Sequence, residues 1–237
     1  EMPVIRGPDR MGGNWLAGRL QVGTRMTMFS LQDDKRKEGD NFLGSIQELK
    51  AIQNYLPMKL YADLYVNSYF GIELTWDEAR AETGAWNYDD NVPYHTDGDF
   101  RINGPILSII GRYPNSTRFT PYAGLGVAFL NAKFIHAWWW RLGFPSEEDW
   151  VANGSPKYFY TPVVRTIEAE DTRGEVYFAG CDYSITDNLL AGVYLRHMAA
   201  ELNTIYYYTI GDFRKDEGEY VIPMDNVAYG LGVSYKF

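Results

Sequence analysis

Three histidines, His95, His136 and His197, are the side chains of this 237-residue chain best placed by type to move protons near neutral pH. A histidine activates a hydroxyl when a serine lies within reach and an acid orients the ring. In RHMAAE, His197 is followed by Met198 and Ala199, so Glu201 would orient a base that has no nucleophile. His95, in DDNVPYHTDGD, has acids beside it and no convincing serine. His136 leads into AWWW and reads as a packing residue. Asp89, Asp90, Asp97 and Asp99 offer the hard oxygens that Ca²⁺ prefers, but not in the ordered D-x-D-x-D-G spacing. They read as a solvated acidic loop. The single cysteine, Cys181, excludes an internal disulfide and has no second thiolate for zinc. No catalytic residue, cofactor or metal ligand is assigned on these grounds.

The elements around these residues have a period of two. In GRLQVGTRMTMFSL (18–31), Leu20, Val22, Thr24, Met26 and Met28 alternate with Arg19, Gln21, Gly23, Arg25 and Thr27. Such alternation is the mark of a strand with two different faces. MKLYADLYV (58–66) and YFGIELTW (69–76) repeat it, and 101–113, 119–131, 174–185, 189–202 and 225–237 complete eight strands. Two of these are less clean. RINGPILSIIGRY is apolar on both faces, and LLAGVYLRHMAAEL also fits a helix. Short turns at Asn67-Ser68, at 114–118 and at 185–188 alternate with long connections at 33–57, 77–100, 132–173 and 203–224. That order predicts an all-β fold: an eight-stranded antiparallel up-and-down transmembrane β-barrel with long extracellular loops and short periplasmic turns. An even strand count puts both termini at the periplasmic end. Residues 1–16 read as a periplasmic extension and 17–237 as a single barrel domain. Residue 1 is Glu rather than Met, as expected of a mature chain whose signal peptide has been removed.

Composition agrees. Apolar residues make up 46% and aromatic residues 16%, and the net charge of −9 argues against a general nucleic-acid or anionic-lipid binder. No apolar run reaches the roughly 18 residues of a membrane helix. The apolar faces of the three cleanest strands carry no charge. Water would tolerate one there, whereas Arg or Lys at the bilayer midplane costs about 2–4 kcal/mol. The polar faces carry Arg25, Lys59, Asp63, Glu73, Asp182 and Arg196, the expected lumen network, with Glu73 paired to Arg25 or Arg196. An eight-stranded interior is narrow enough for such side chains to fill it. In the first connection, Phe42, Leu43, Ile46, Leu49 and Ile52 recur at helical spacing, which predicts a short helix over 47–54. In the third, Trp138, Trp139 and Trp140 read either as an anchor at the outer membrane interface or as a contact patch for a partner or apolar ligand.

The chain ends in YGLGVSYKF, with Tyr229, Leu231, Val233, Tyr235 and Phe237 alternating against small or polar residues. This stretch resembles the C-terminal signal of bacterial outer-membrane proteins, a strand ending in aromatic-x-Phe that the barrel assembly machinery reads. FTPYAGLGVAF (119–129) and AGCDYSITDNLLAGVYLRH (179–197) resemble strands and the penultimate hairpin of OmpW-like and OmpA/OmpX-like small barrels. The resemblance implies residence in the bacterial outer membrane among lipid and lipopolysaccharide. It implies a non-enzymatic role, structural or binding small apolar ligands through lumen or loops. An accessory subunit of a cell-surface assembly, docked through its loops to a surface protein, is the alternative. A lipid A-modifying enzyme of this architecture would use a His-x-Ser pair, which is absent after His197.

Overall fold

In the computed structural model of the protein, the structure describes residues 16–35, 46–53, 59–85, 96–137, 140, 143, 144, 146–152, 154, 155 and 163–237. The elements are β1 (Leu20–Leu31), β2 (Ile46–Ala51), β3 (Lys59–Tyr65), β4 (Phe70–Ala85), β5 (Gly98–Arg112), β6 (Phe119–His136), the short helix α1 (Glu147–Ala152), β7 (Val163–Ala169), β8 (Thr172–Ser184), β9 (Leu189–Ala199), β10 (Glu201–Ile210), β11 (Phe213–Pro223) and β12 (Asn226–Lys236). Eight of them close into an antiparallel barrel in the order β1, β3, β4, β5, β6, β8, β9, β12, with β12 returning to β1. Both of the less clean segments are barrel strands, and the three short turns join β3–β4, β5–β6 and β8–β9.

The alternation sorts cleanly between two environments. Outward rows run straight across neighbouring strands: Ile72 is opposite Ile109 and Ile109 opposite Leu125, and above them Leu74, Leu107 and Val127. These residues are exposed. A contiguous exposed apolar belt on a closed barrel, with charges sealed inside, is what hydrocarbon requires and water penalises. Exposed Phe70, Tyr113, Phe119, Tyr183, Tyr235 and Phe237 ring the tight-turn end, and Trp76, Phe129, Tyr177 and Tyr229 mark the other edge of the belt. A residue of a strand tilted by about 40° climbs about 2.5 Å, so Phe119 to Phe129 spans about 25 Å, the height of a membrane barrel's apolar band.

Beyond the belt the strands do not stop. β4 continues to Ala85, β5 begins at Gly98 and β6 runs to His136, so much of the expected second and third loops is strand. β7, β10 and β11 form a separate three-stranded sheet in the order β11, β10, β7. Each is the upward continuation of a barrel strand. Met198 pairs with Asn226 and Glu201 with Pro223, so the β9–β12 register passes unshifted into β10–β11. This sheet meets the tall end of β6 through β7, where Ile167 N donates to His136 Nε2, and one apolar core includes Phe29, Phe100, Phe134, Ile167, Leu202 and Ile222.

Two expectations are corrected here. Residues 46–51 are not helical. They form β2, an added strand beside β4, because a register shift between Ile46 and Glu48 turns Ile46 and Leu49 to the same buried side. Trp140 lies beyond the end of β6, and His136 is already about 43 Å above Phe119, too high for a membrane-interface anchor. Residues 1–15, Trp138, Trp139, Asp89, Asp90 and His95 lie outside the described residues.

Candidate functional site

The lumen is built in layers. Near the tight-turn end, Gln21 Nε2 donates to Asp182 Oδ2 at 3.1 Å and to Ser234 Oγ at 3.0 Å. Above it, Arg25 Nη2 donates to Glu73 Oε2 at 2.6 Å, with 4% and 1% of the two side chains exposed. The guanidinium lies between the rings of Tyr61 and Tyr194, 3.7 Å and 4.1 Å from their centroids. Gly23 and Gly180 face these rings and their neighbour Tyr122. A Cβ at either would collide with the Tyr61 or Tyr122 ring. Asp63 sits on β3 directly opposite Glu73. In the next layer Asp77 pairs with both Lys59 and Arg196, and Arg196 Nη2 donates to Asn226 Oδ1 at 2.6 Å. Then the apolar core begins.

The structure therefore places all six lumen residues read from the sequence on the inner wall, and it gives Glu73 to Arg25 rather than to Arg196. Asp77, Gln21 and Asn226 were missed. Asp77 was legible by extending the Gly71, Glu73, Thr75 alternation one residue past Trp76. Arg25, Lys59, Glu73, Asp77 and Arg196 are held in ion pairs beneath a packed apolar core, which leaves ions no favourable path. Single-channel recording in planar bilayers should show no steady conductance. A large constant current would contradict the layered lumen.

Among the other residues singled out, Trp140 is buried, not a surface contact. Its ring stacks on His136 at 5.7 Å, and Arg165 Nε donates to its carbonyl at 2.7 Å. His136 Nε2 accepts from Ile167 N at 2.8 Å, so this histidine joins β6 to the upper sheet. Asp99 pairs with Arg80. Among the described residues no group of three or more His, Cys, Asp or Glu could hold a metal ion.

A weak place in the wall lies between β5 and β6. β5 and β6 pair from Gly98 to Asn103 and again from Ile106 to Arg112, but the ladder skips Gly104 and Pro105 opposite Leu130 and Phe129. Proline has no N–H to donate. On its other side β6 loses β8 above Leu130, where the last pair is with Thr172. A groove of about 690 Å³ opens outward here, lined by Pro105, Phe129, Leu130, Asn131, Asp171, Thr172 and Arg173. Leu130 is also part of the buried apolar core, so the groove floor and the core share a side chain.

No family model matches the sequence, and no curated protein does. Solved structures do. The crystal structure of the outer membrane protein OprG from Pseudomonas aeruginosa superposes with a TM-score of 0.59 at 16% identity, over 93% of this chain and 96% of that one. The solid-state NMR structure of the outer membrane protein AlkL in DMPC bilayers gives 0.57 at 15% identity, over 98% and 96%. The fold of this chain is thus that of the small eight-stranded outer-membrane barrels.

Proposed function

We propose that the protein is an integral outer-membrane barrel, with its termini and tight turns in the periplasm, that admits small apolar molecules sideways through its wall instead of conducting ions along its axis. The observation that carries this reading is the interrupted β5–β6 ladder at Gly104 and Pro105. It lies at the outer edge of the lipid-facing belt, beside Phe129, where an apolar solute dissolved in the bilayer or arriving from outside meets the wall. Leu130 links that place to the apolar core. Solutes of this kind gain about 25 cal/mol for each Å² of apolar surface kept from water, so a greasy side route favours them and leaves ions in solution.

The reading is tested by Pro105→Val in reconstituted vesicles. Valine restores an N–H and suits a strand, so the ladder can close. Transfer of a small apolar fluorophore into the vesicles should slow severalfold, with folding unchanged. Equal transfer by the variant and the parent would remove the side route. The accessory-subunit reading retains one support. Ile210 and Phe213, at the tip of the β10–β11 hairpin, are exposed far above the belt. Stoichiometric co-purification of a second protein would favour it.

A further inference from the structure

Two rows above the Trp76, Pro105 and Phe129 row, the outward face of β4, β5 and β6 carries three cations side by side. Arg80 is directly opposite Arg101, and Arg101 is directly opposite Lys133. Like charges directly opposite one another destabilise a sheet, so the row invites counter-charge. The protein supplies part of it. Glu78 Oε2 accepts from Arg101 Nη2 at 2.8 Å, and Asp99 takes Arg80. One row higher Glu82 lies opposite Asp99 on the same face, without an ion pair of its own among the described residues. Among the described residues the Lys133 ammonium has no ion pair or hydrogen bond.

A fourth cation stands on the next strand. Arg173 of β8 lies opposite Phe129. Its guanidinium sits over that ring at 5.7 Å, and no carboxylate pairs with it among the described residues. The nearby acids form no ion pair with it: Asp171 Oδ1 accepts from Ala132 N at 3.0 Å, and Glu175 Oε2 accepts from Tyr177 Oη at 2.8 Å. Counted from the lower aromatic ring, Arg173 is ten residues up and Lys133 fourteen, or about 25 and 35 Å. That interval begins where the apolar belt ends and covers the headgroup zone of the leaflet. Chains in the bilayer would lie on Val127 and Phe129 directly beneath.

We infer that this face binds the phosphate groups of an outer-leaflet glycolipid such as lipopolysaccharide, with Arg173 and Lys133 supplying the direct contacts. Arginine suits this task because its planar fork matches phosphate oxygens, and lysine adds a point charge. The assignment rests on the orientation proposed above, with the tall ends outside.

The test uses the folded, full-length barrel in detergent. Its heat-unfolding midpoint is read as the loss of the fast-migrating band on unboiled gels. Three additions are compared: bis-phosphorylated lipid A, the same lipid with its phosphates removed, and inorganic phosphate. The phosphorylated lipid should raise the midpoint, and the other two should not. Lys133→Gln with Arg173→Gln should abolish most of the shift, whereas Lys133→Arg with Arg173→Lys should keep it. If the double Gln variant fails to fold, Lys133→Gln alone should lose part of the shift. Equal shifts from the dephosphorylated lipid, or an undiminished shift in the Gln variants, would overturn the assignment. So would a full shift from inorganic phosphate, which would mean a free-anion site. A protease site inserted at Gly211 checks orientation separately: cleavage on intact cells confirms the tall end outside, whatever the lipid result.

Discussion

Arg25→Met should lower the unfolding free energy of the barrel by about 3–5 kcal/mol, the cost of stranding a buried charge. The substitution leaves Glu73, which is wholly buried and faces Asp63 across the β3–β4 pair, without its cation. It also removes the planar group held between Tyr61 and Tyr194. Replacing both members of the pair, Arg25→Met with Glu73→Leu, should recover most of the loss, because two apolar side chains of similar volume avoid the desolvation that the ion pair suffered. Urea unfolding in lipid vesicles, followed by tryptophan fluorescence, gives the numbers. A single variant within about 0.5 kcal/mol of the parent, the range of an ordinary surface change, would show that the lumen pair carries no stability.

The second large effect concerns the chain end. Deleting Tyr235 to Phe237 removes the pairing of Tyr235 with Val22 and of Lys236 with Gln21 on β1. It also removes the bond from Phe237 N to Leu20 O at 2.9 Å and the one from Asn188 Nδ2 to Lys236 O at 2.7 Å. The seam of the barrel then opens at the tight-turn end, leaving an unpaired edge that membrane strands do not tolerate. Folded, heat-modifiable protein should fall far more than synthesis does. Phe237→Ala separates closure from recognition. The Phe237 ring is about half exposed and touches Tyr235 at 5.0 Å, so its loss should cost the finished barrel little. A steep fall in folded yield from this single change would point to a reader of the terminal aromatic during assembly. Normal folded levels in the deletion would sink both roles.

The eight barrel strands were legible because each faces two unlike solvents. Hydrocarbon accepts Ile72, Leu74 and Trp76, and the lumen accepts Glu73 and Thr75, so the pattern is written in every second residue. The upper strands face no such contrast. Along β10, Ile205, Tyr206, Tyr207, Tyr208 and Thr209 are all half-buried, because one side leans on the core and the other holds charged partners such as Arg214 over Tyr207 at 3.6 Å. Alternation fades, and the segment reads as loop. β2 misleads for a sharper reason. A bulge changes which residues share a side, so Ile46 and Leu49 fall three apart like residues of a helix. The lumen site was half legible. Charges on clean strands could be assigned inward, but choosing between Arg25 and Arg196 for Glu73 needed the stagger of the strands. The wall defect at Pro105 was in plain sight in RINGPILSIIGRY, yet only pairing shows that it interrupts a ladder.

The unbroken register that joins β9 with β10 and β11 with β12 makes the molecule a strut. A pull on the hairpin tip at Gly211, from a surface or from flowing liquid, runs down two long strands at once. Within the wall those strands are bonded sideways to β8 and β1, at right angles to the load. The load therefore acts in shear on many hydrogen bonds together, instead of peeling them one by one. Tension gathered at that tip is delivered to the strand that closes the barrel, and so to the membrane around it.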